Sequence, residues 1–443
     1  MSESATAFTL NHTYKSTDAG LIPTDWECVR LGDICRFVGG AQPDKSVFSY
    51  KEKKGFIRLI QIRDYKSDKD TVYIPENLAR KKCDAQDIMI GRYGPPIFQI
   101  LRGIEGAYNV ALIKVIPIKT VDREFIFHFI RNEKLFSLMD TLSQRSSGQT
   151  GVDLPALRDY PVGLPPLEEQ TSIAQALNDV DALLNGLEKL IAKKQAIKTA
   201  SMQQLLTGKK RLPEFALHTD GEKKGQPKGM KRSEFGEIPE DWLVYTINDV
   251  VDSLSSGGTP YRGTKEFYKG NNLWITSGEL KYGLINDTIE KISNDAIKKA
   301  HLKVHPPGTF LMAITGLEAA GTRGACGIVG KPATTNQSCM AIYPNKKLIS
   351  NFLFHWYVYN GDELALKYCQ GTKQLSYTAG LLKTLPILLP TDTNEQEAIA
   401  SILSDMDEEI QKLKQRLEKT RQIKKGMMQE LLTGRTRLPF KKD

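Results

Sequence analysis

The sequence predicts an α+β fold: two globular regions of mixed α/β structure joined by two long helices. The helices pair as an antiparallel coiled coil about an internal pseudo-two-fold axis. Three observations carry this expectation. Residues 202–215 read MQQLLTGKKRLPEF and residues 428–440 read MQELLTGRTRLPF. A shift of 226 lays residues 169–213 over 395–439 without a gap, and 20 of the 45 positions are identical. Upstream, GLIPTDWECVRLGDI (20–34) is matched by GEIPEDWLVYTINDV (236–250). A duplication this extensive sets the architecture before any local feature does.

The elements follow in order. Residues 1–163 form the first globular region, where the short β-like runs FIRLIQIRD, IMIGRYGPPIFQIL and YNVALIKVIP are broken by Gly and Pro. REFIFHFIRNEKLFSLMDTL (123–142) reads as helix. Residues 164–207 are the first long helix, with apolar positions at Ile173, Leu177, Val180, Leu184, Leu187, Ile191 and Leu205. Steps of four and three are the seam of a coiled coil. Lys194 and Lys198 interrupt that seam, and Thr420 and Lys424 interrupt the second copy at the same height. Gly208 and Gly434 stand where a helix stop is expected, with Pro213 and Pro439 beyond.

Residues 208–233, rich in Lys, Gly and Pro, read as a linker. Residues 234–388 are the second globular region, with LWITSGEL, GTFLMAITG and SCMAIYP as β-like runs and SNFLFHWYVYNGDELALKYC (350–369) as helix. Residues 389–443 are the second long helix and a tail. Its seam is Ile399, Leu403, Met406, Ile410, Leu413, Leu417 and Leu431. Matched seams with matched breaks favour mutual partners over two amphipathic helices each packed on its own region. A pseudo-two-fold axis across such a pair makes it antiparallel.

Composition narrows the partners. Net charge is +9, with 40% hydrophobic and 26% charged residues. The surplus favours a polyanion without requiring one. No apolar run reaches the roughly 20 residues of a bilayer span, and the N-terminus lacks the order of a secretory signal. The six cysteines are scattered with no C-x-x-C pair, which fits a reducing cytoplasm. Catalytic signatures are missing. GIVGKPA (327–333) lacks the glycine spacing of a phosphate loop, and Pro332 replaces its Ser or Thr. GRYGPP (91–96) lacks the Asn- or Asp-Pro-Pro-aromatic order of amino-methyltransferases. HLKVH (301–305) is the nearest approach to metal-ligand spacing and reads better as an ordinary surface or core pair. The expectation is a binding subunit with no catalytic residue, no metal and no cofactor of its own.

IPTDWECVRLGDI with IPEDWLVYTINDV, LPPLEEQTSIAQALNDVDALL with NEQEAIASILSDMDEEI, and LLTGKKRLP with LLTGRTRLP occur in fixed order. SLSSGGTP (253–260) then precedes LWITSGEL (273–280). Together these resemble the specificity subunit of type I restriction-modification systems over essentially the whole chain. RFVGGAQP (36–43) and FIRLIQI (56–62) depart from the pattern in the first half. The resemblance implies two target-recognition domains and a non-catalytic, cytoplasmic subunit. It implies a bipartite double-stranded DNA target. It also implies two adenine methyltransferase subunits and motor-nuclease subunits as partners, which bind S-adenosylmethionine, ATP and Mg. Base flipping belongs to the methyltransferase.

The physics of such a target agrees. Two similar but non-identical readers suit an asymmetric bipartite site, with half-site centres about one helical turn, roughly 34 Å, apart. Some 40 helical residues give a rod of roughly 60 Å, which can act as a ruler for the spacer. Base edges are read by Arg, Lys, Gln, Asn, Ser and Thr. The first domain offers Arg58, Gln61, Arg63, Arg92, Tyr93, Gln144, Arg145, Ser146, Ser147 and Gln149. The second offers Thr276, Ser277, Lys281, Tyr282, Thr315, Thr322, Arg323, Thr372, Lys373 and Gln374. The loops around Gly148 and Gly371 are the favoured readers. Glu168, Glu169, Gln170, Glu395 and Gln396 are candidate methyltransferase-docking positions, with helix N-terminal capping an equal alternative. A fused methyltransferase predicts a cofactor motif that is not present. A coiled-coil adaptor predicts affinity indifferent to salt.

Overall fold

The computed structural model describes residues 13–145, 151–317, 322–369 and 375–438. The chain divides into two compact units, one of Met1–Glu188 with Gln415–Asp443 and the other of Lys189–Lys414. Each long helix therefore contributes to both units.

The first unit opens on a hairpin, Tyr14–Thr17 against Gly20–Pro23. Trp26 is fully buried behind it. The strand Glu27–Arg30 pairs antiparallel with Pro161–Leu164, the strand that leads into the first long helix. A single helical turn, Leu31–Ile34, starts where the Arg30 amide donates to the Asp33 carboxylate at 3.3 Å. Two sheets follow. One is antiparallel, in the order Cys35–Gly39, Leu112–Pro117, Ile88–Gly91, Gln99–Leu101. The other is mixed, in the order Tyr73–Pro75, Phe56–Ile60, Gly106–Tyr108, Lys82–Cys83, with its central pair parallel. The core joins Ile22, Trp26, Ile88, Ile113 and Phe125 to Ile173 and Leu177 of the first long helix and to Leu431 and Leu432 at the end of the second.

The second unit repeats this plan. Its hairpin is Met230–Ser233 against Gly236–Pro239, so the end of the segment read as a linker is a strand. Trp242–Thr246 pairs with Pro386–Pro390. The antiparallel sheet here gains a fifth strand, Gly283–Ile285, parallel to Cys326–Val329. The core gathers Trp242, Phe310, Phe352, Ile399, Ala400 and Leu403 with Met202, Leu205 and Leu206.

The long helices run Leu167–Leu205 and Thr393–Leu431. In the first unit Asp181 meets Lys424, and Glu188 meets Arg421 at 2.7 Å. In the second, Lys194 meets Glu409 at 2.7 Å and Lys198 meets Asp407 at 2.5 Å. In both, numbers rise along one helix as they fall along the other, so the pairing is antiparallel. The 226-residue shift carries Asp181 onto Asp407 and Lys198 onto Lys424. These two bridges are one contact made twice, once in each unit.

The three lysines that break the seam are thus its cross-helix ion pairs, while Thr420 donates to the Arg416 carbonyl of its own helix at 2.8 Å. The seam itself is shorter than its sequence pattern. Ile173, Leu177, Ile399 and Leu403 are buried in the globular cores. Leu187, Ile191, Ile410 and Leu417 are buried along the middle of the helices. The packing on a helix's own globular region and the mutual pairing occur together, on successive turns.

Candidate nucleic-acid interface

The repeated motifs converge at one cluster in each unit. In the first, Arg437 donates to both Asp25 oxygens at 2.9 Å and to Glu169 Oε2 at 2.6 Å. Trp26 Nε1 donates to the same Glu169 oxygen at 3.0 Å. In the second, Arg211 donates to Asp241 at 2.7 Å and to Glu395 at 2.6 Å, and Trp242 Nε1 donates to Glu395 at 3.2 Å. The guanidinium fork matches two carboxylates at once, a geometry that lysine cannot reproduce. Burial works against the Arg437 charge, and its bonds to Asp25 and Glu169 outweigh it. The same balance holds at Arg211.

Gly434 and Gly208, both at φ +70, lie against Pro23 and Pro239, where an added Cβ would sit 2.5 Å from the proline Cδ. Gln170 accepts from the Asp122 amide at 2.9 Å and donates to the Pro165 carbonyl at 2.8 Å. Gln396 does the same with Ile349 and Pro390, at 3.1 and 2.9 Å. The Asp-Trp, Glu-Gln, Gly and Arg-Leu-Pro motifs are thereby one assembly. Each unit takes its Asp-Trp and Glu-Gln from one copy and its Gly and Arg from the other.

This overturns the docking assignment for Glu169, Gln170, Glu395 and Gln396. All four are at most 1% exposed and are spent on internal bonds. Glu168 remains exposed.

The candidate base readers lie elsewhere. In the first unit Gln61 caps the turn Ile62–Tyr65, its amide donating to Asp64 at 3.0 Å. Arg58 is turned onto Asp68 at 2.7 Å, and half-exposed Arg63 donates to the Asp70 carbonyl at 3.2 Å. Burial pushes the Asp64 carboxyl up, against the Gln61 amide bond and the Arg58 charge. Arg92 stacks on Tyr93 at 5.3 Å, and its carbonyl accepts from the Val152 amide at 3.1 Å. A Cβ on Gly91 would touch Ile62 at 3.4 Å, and one on Gly151 would lie 3.2 Å from Tyr93. The turn at 61–65, the pair Arg92–Tyr93 and the chain just after 150 therefore share one neighbourhood. Gln144 lies on the helix Glu133–Arg145, bonded to Asp140 at 2.9 Å, and Arg145 ends that helix. Ser146, Ser147 and Gln149 lie outside the described residues.

In the second unit Thr276 caps the turn Ser277–Glu279, its amide and hydroxyl both donating to Glu279 at 2.6 and 2.8 Å. Ser277 lies within that turn, and Lys281 just beyond it is exposed. Tyr282, at φ +58, donates to the Arg323 carbonyl at 3.1 Å, while Arg323 Nε donates to Asp362 at 2.8 Å. Thr322 precedes Arg323 and accepts from the Ala325 amide at 3.2 Å. Thr315 bridges to Ser376. Thr372, Lys373 and Gln374 lie outside the described residues. Strand register makes Gln61 equivalent to Thr276, since the carbonyls before them, Ile60 and Ile275, accept from Asn109 and Asn336. By the same logic Arg92 and Tyr93 correspond to Ile314 and Thr315, because Val152 and Tyr377 bond to the Arg92 and Ile314 carbonyls. The framework is repeated, and the side chains it presents are not.

Comparison with known proteins decides the family. The sequence model of the type I restriction modification DNA specificity domain matches residues 23–199 and again 239–421. The chain belongs to this family. It is 26% identical over 441 residues to the specificity subunit of the type I restriction enzyme MjaVIII of Methanocaldococcus jannaschii, covering 97% of each chain. It is 31% identical over 192 residues to the MjaIX specificity subunit of the same organism, covering 42% of this chain and 43% of that one. The crystal structure of a type I S subunit from M. genitalium superposes with a TM-score of 0.57 at 12% identity, covering 92% and 96%. A chain from a structure of a type I R-M system gives 0.52 at 16% identity, covering 94% and 99%. These likenesses show the fold of a specificity subunit, with two DNA specificity domains in one chain. Among the described residues no helix is long and apolar enough to cross a membrane.

Arg211 and Arg437 carry the assembly and were not assigned a role from the sequence. The signal was present, because Arg-Leu-Pro stands at the same position in both copies.

Proposed function

We propose that this chain is the non-catalytic DNA-recognition subunit of a type I restriction-modification complex. Each specificity domain reads one half-site of a bipartite double-stranded target, and the paired helices set the spacer. Two adenine methyltransferase subunits and motor-nuclease subunits dock on the chain, and they bind S-adenosylmethionine, ATP and Mg. The observation that supports this reading is the contrast at equivalent positions. The frame built from Arg437, Glu169 and Trp26 recurs as Arg211, Glu395 and Trp242. Gln61, Arg63 and Tyr93, by contrast, become Thr276, Gly278 and Thr315 on matching strand ends. A duplicated frame with divergent edges suits two different half-sites. Gln reads adenine bidentately, and Arg reads guanine.

Adenine-methylation mapping tests this, in cells carrying the chain with its neighbouring methyltransferase and in cells lacking the chain. A bipartite motif that appears only with the chain is the expected result. With both proteins expressed and associated, the absence of any new motif overturns the reading.

A further inference from the structure

The first unit carries a groove of about 630 Å³ that the DNA-reading role does not use. Ile22, Phe129, Tyr160, Met428 and Leu432 line its apolar part. Its cations are Arg131, Lys134, Arg421, Lys424, Lys425 and Arg435, and Glu133 is the single acid among its lining residues. Arg131 and Lys424 are engaged with Asp181, and Arg421 with Glu188. Among the described residues Lys425 is held by the exposed Glu133 alone, at 2.8 Å. An ion pair between exposed side chains is weak and yields readily to a competing carboxylate. Lys134 and Arg435 make no ion pair among the described residues and are exposed.

Among the described residues the second unit lacks this combination. The sheet register and the repeat place Phe235, Leu385 and Leu388 where the first unit has Ala19, Tyr160 and Gly163. Leu385 and Leu388 are buried, so side-chain volume occupies the floor. Gln195 and Thr199 replace Arg421 and Lys425, removing cations from the rim. The groove is therefore a feature of one half and not of the duplicated frame.

We propose that this groove is a docking site, present once per chain, for an acidic segment of a partner protein that anchors through a bulky apolar side chain. Apolar floor and cationic rim together select such a segment. Apolar burial supplies affinity, and charge complementarity supplies specificity and a fast on-rate. Single occupancy separates it from the pairwise methyltransferase docking proposed above, on which it does not rest.

The test is fluorescence anisotropy on the full chain with two labelled peptides, Glu-Glu-Leu-Phe-Glu-Glu and Gln-Gln-Leu-Phe-Gln-Gln. The acidic peptide is expected to bind about tenfold more tightly. Ala19→Phe, which imports the side chain of the second half, is expected to weaken it by about tenfold. The surface double variant Lys134→Glu/Arg435→Glu is expected to abolish the preference for acid, with an unchanged circular dichroism spectrum. Equal affinity for the two peptides overturns the proposal, as does indifference to the double variant. Displacement of the acidic peptide by a short duplex of arbitrary sequence also overturns it and makes the groove a phosphate-binding face.

Discussion

Arg437 holds two carboxylates on one planar group, with its side chain 6% exposed and that of Glu169 0% exposed. Removing one partner of a buried ion pair leaves the other charge without compensation, at about 3–5 kcal/mol. Arg437→Ala is therefore expected to destabilise the first unit by that amount, and Arg211→Ala the second. Lysine at either place should rescue little, because one ammonium cannot serve both carboxylates. Trp26→Phe, which deletes the Nε1 bond to Glu169 and leaves a cavity where the wider indole packed, should cost at least roughly 1–3 kcal/mol. Native-state hydrogen exchange reads each unit separately. Equal loss of protection in both units after a single arginine substitution would count against this account. The buried histidines make a second prediction at this scale. Burial, with Lys198 nearby, lowers His355 from 6.5 to about 3, and burial with Lys303 nearby lowers His305 to about 4. Burial also lowers His128, against a raising bond from Asn178. A depressed histidine stays neutral in the folded chain while the unfolded chain takes up a proton below pH 6.5. Stability is then fully present above pH 6.5 and lost as pH falls toward the folded value. Between pH 6.5 and 5, each of His355 and His305 should withdraw roughly 2 kcal/mol. Urea unfolding of the wild type and of His355→Phe at the two pH values checks this, and an identical pH slope in both would refute it.

At the scale of elements, the lysines in the helix seam are explained by their partners. Lys424 is 7% exposed, and burial pushes its pKa down while the bond to Asp181 offsets part of that. Lys198→Met alone should destabilise the second unit, because Asp407 then loses its counter-charge. Lys198→Met with Asp407→Leu should cost less than the single substitution, since removing both members of a half-buried pair leaves no charge uncompensated. A double-mutant cycle by denaturant unfolding measures the coupling, and a coupling near zero would show that the bridge does not act as a pair. The seam and its breaks were legible in the sequence because a helix writes its contacts every three or four residues. The repeat of Trp26 as Trp242 was legible too, but the hairpins before them were not, since the strand Met230–Ser233 stood inside the segment read as a linker. Nor was the burial of Glu169 and Gln170. Their neighbours in sequence are ordinary for a helix N-terminus, and the arginine that covers Glu169 lies 268 residues away. The candidate readers were chosen from the sequence by residue type. Their internal bonds were not legible, because Thr276 with Glu279 and Arg58 with Asp68 are settled by tertiary geometry.

At the scale of the whole chain, the symmetric bridges give the proposed ruler a sharp test. Seven residues are two turns of a coiled-coil seam, so an inserted heptad keeps the seam in phase. One heptad after Gly186 and another after Lys412, equivalent positions under the 226-residue shift, lengthens both helices together and preserves the frame at each unit. The added length is about 10 Å at 1.5 Å per residue. Methylation mapping of this variant should return both half-sites unchanged with a longer spacer between them. An insertion in only one helix carries Lys198 past Asp407 or Lys424 past Asp181. That variant should lose methylation, since each unit draws its arginine and glycine from the other copy of the repeat. If the doubly lengthened variant methylates the original spacer, the helices do not measure the site, and spacing must come from the partner subunits. If the half-sites change while the spacer does not, the helix ends themselves take part in reading bases.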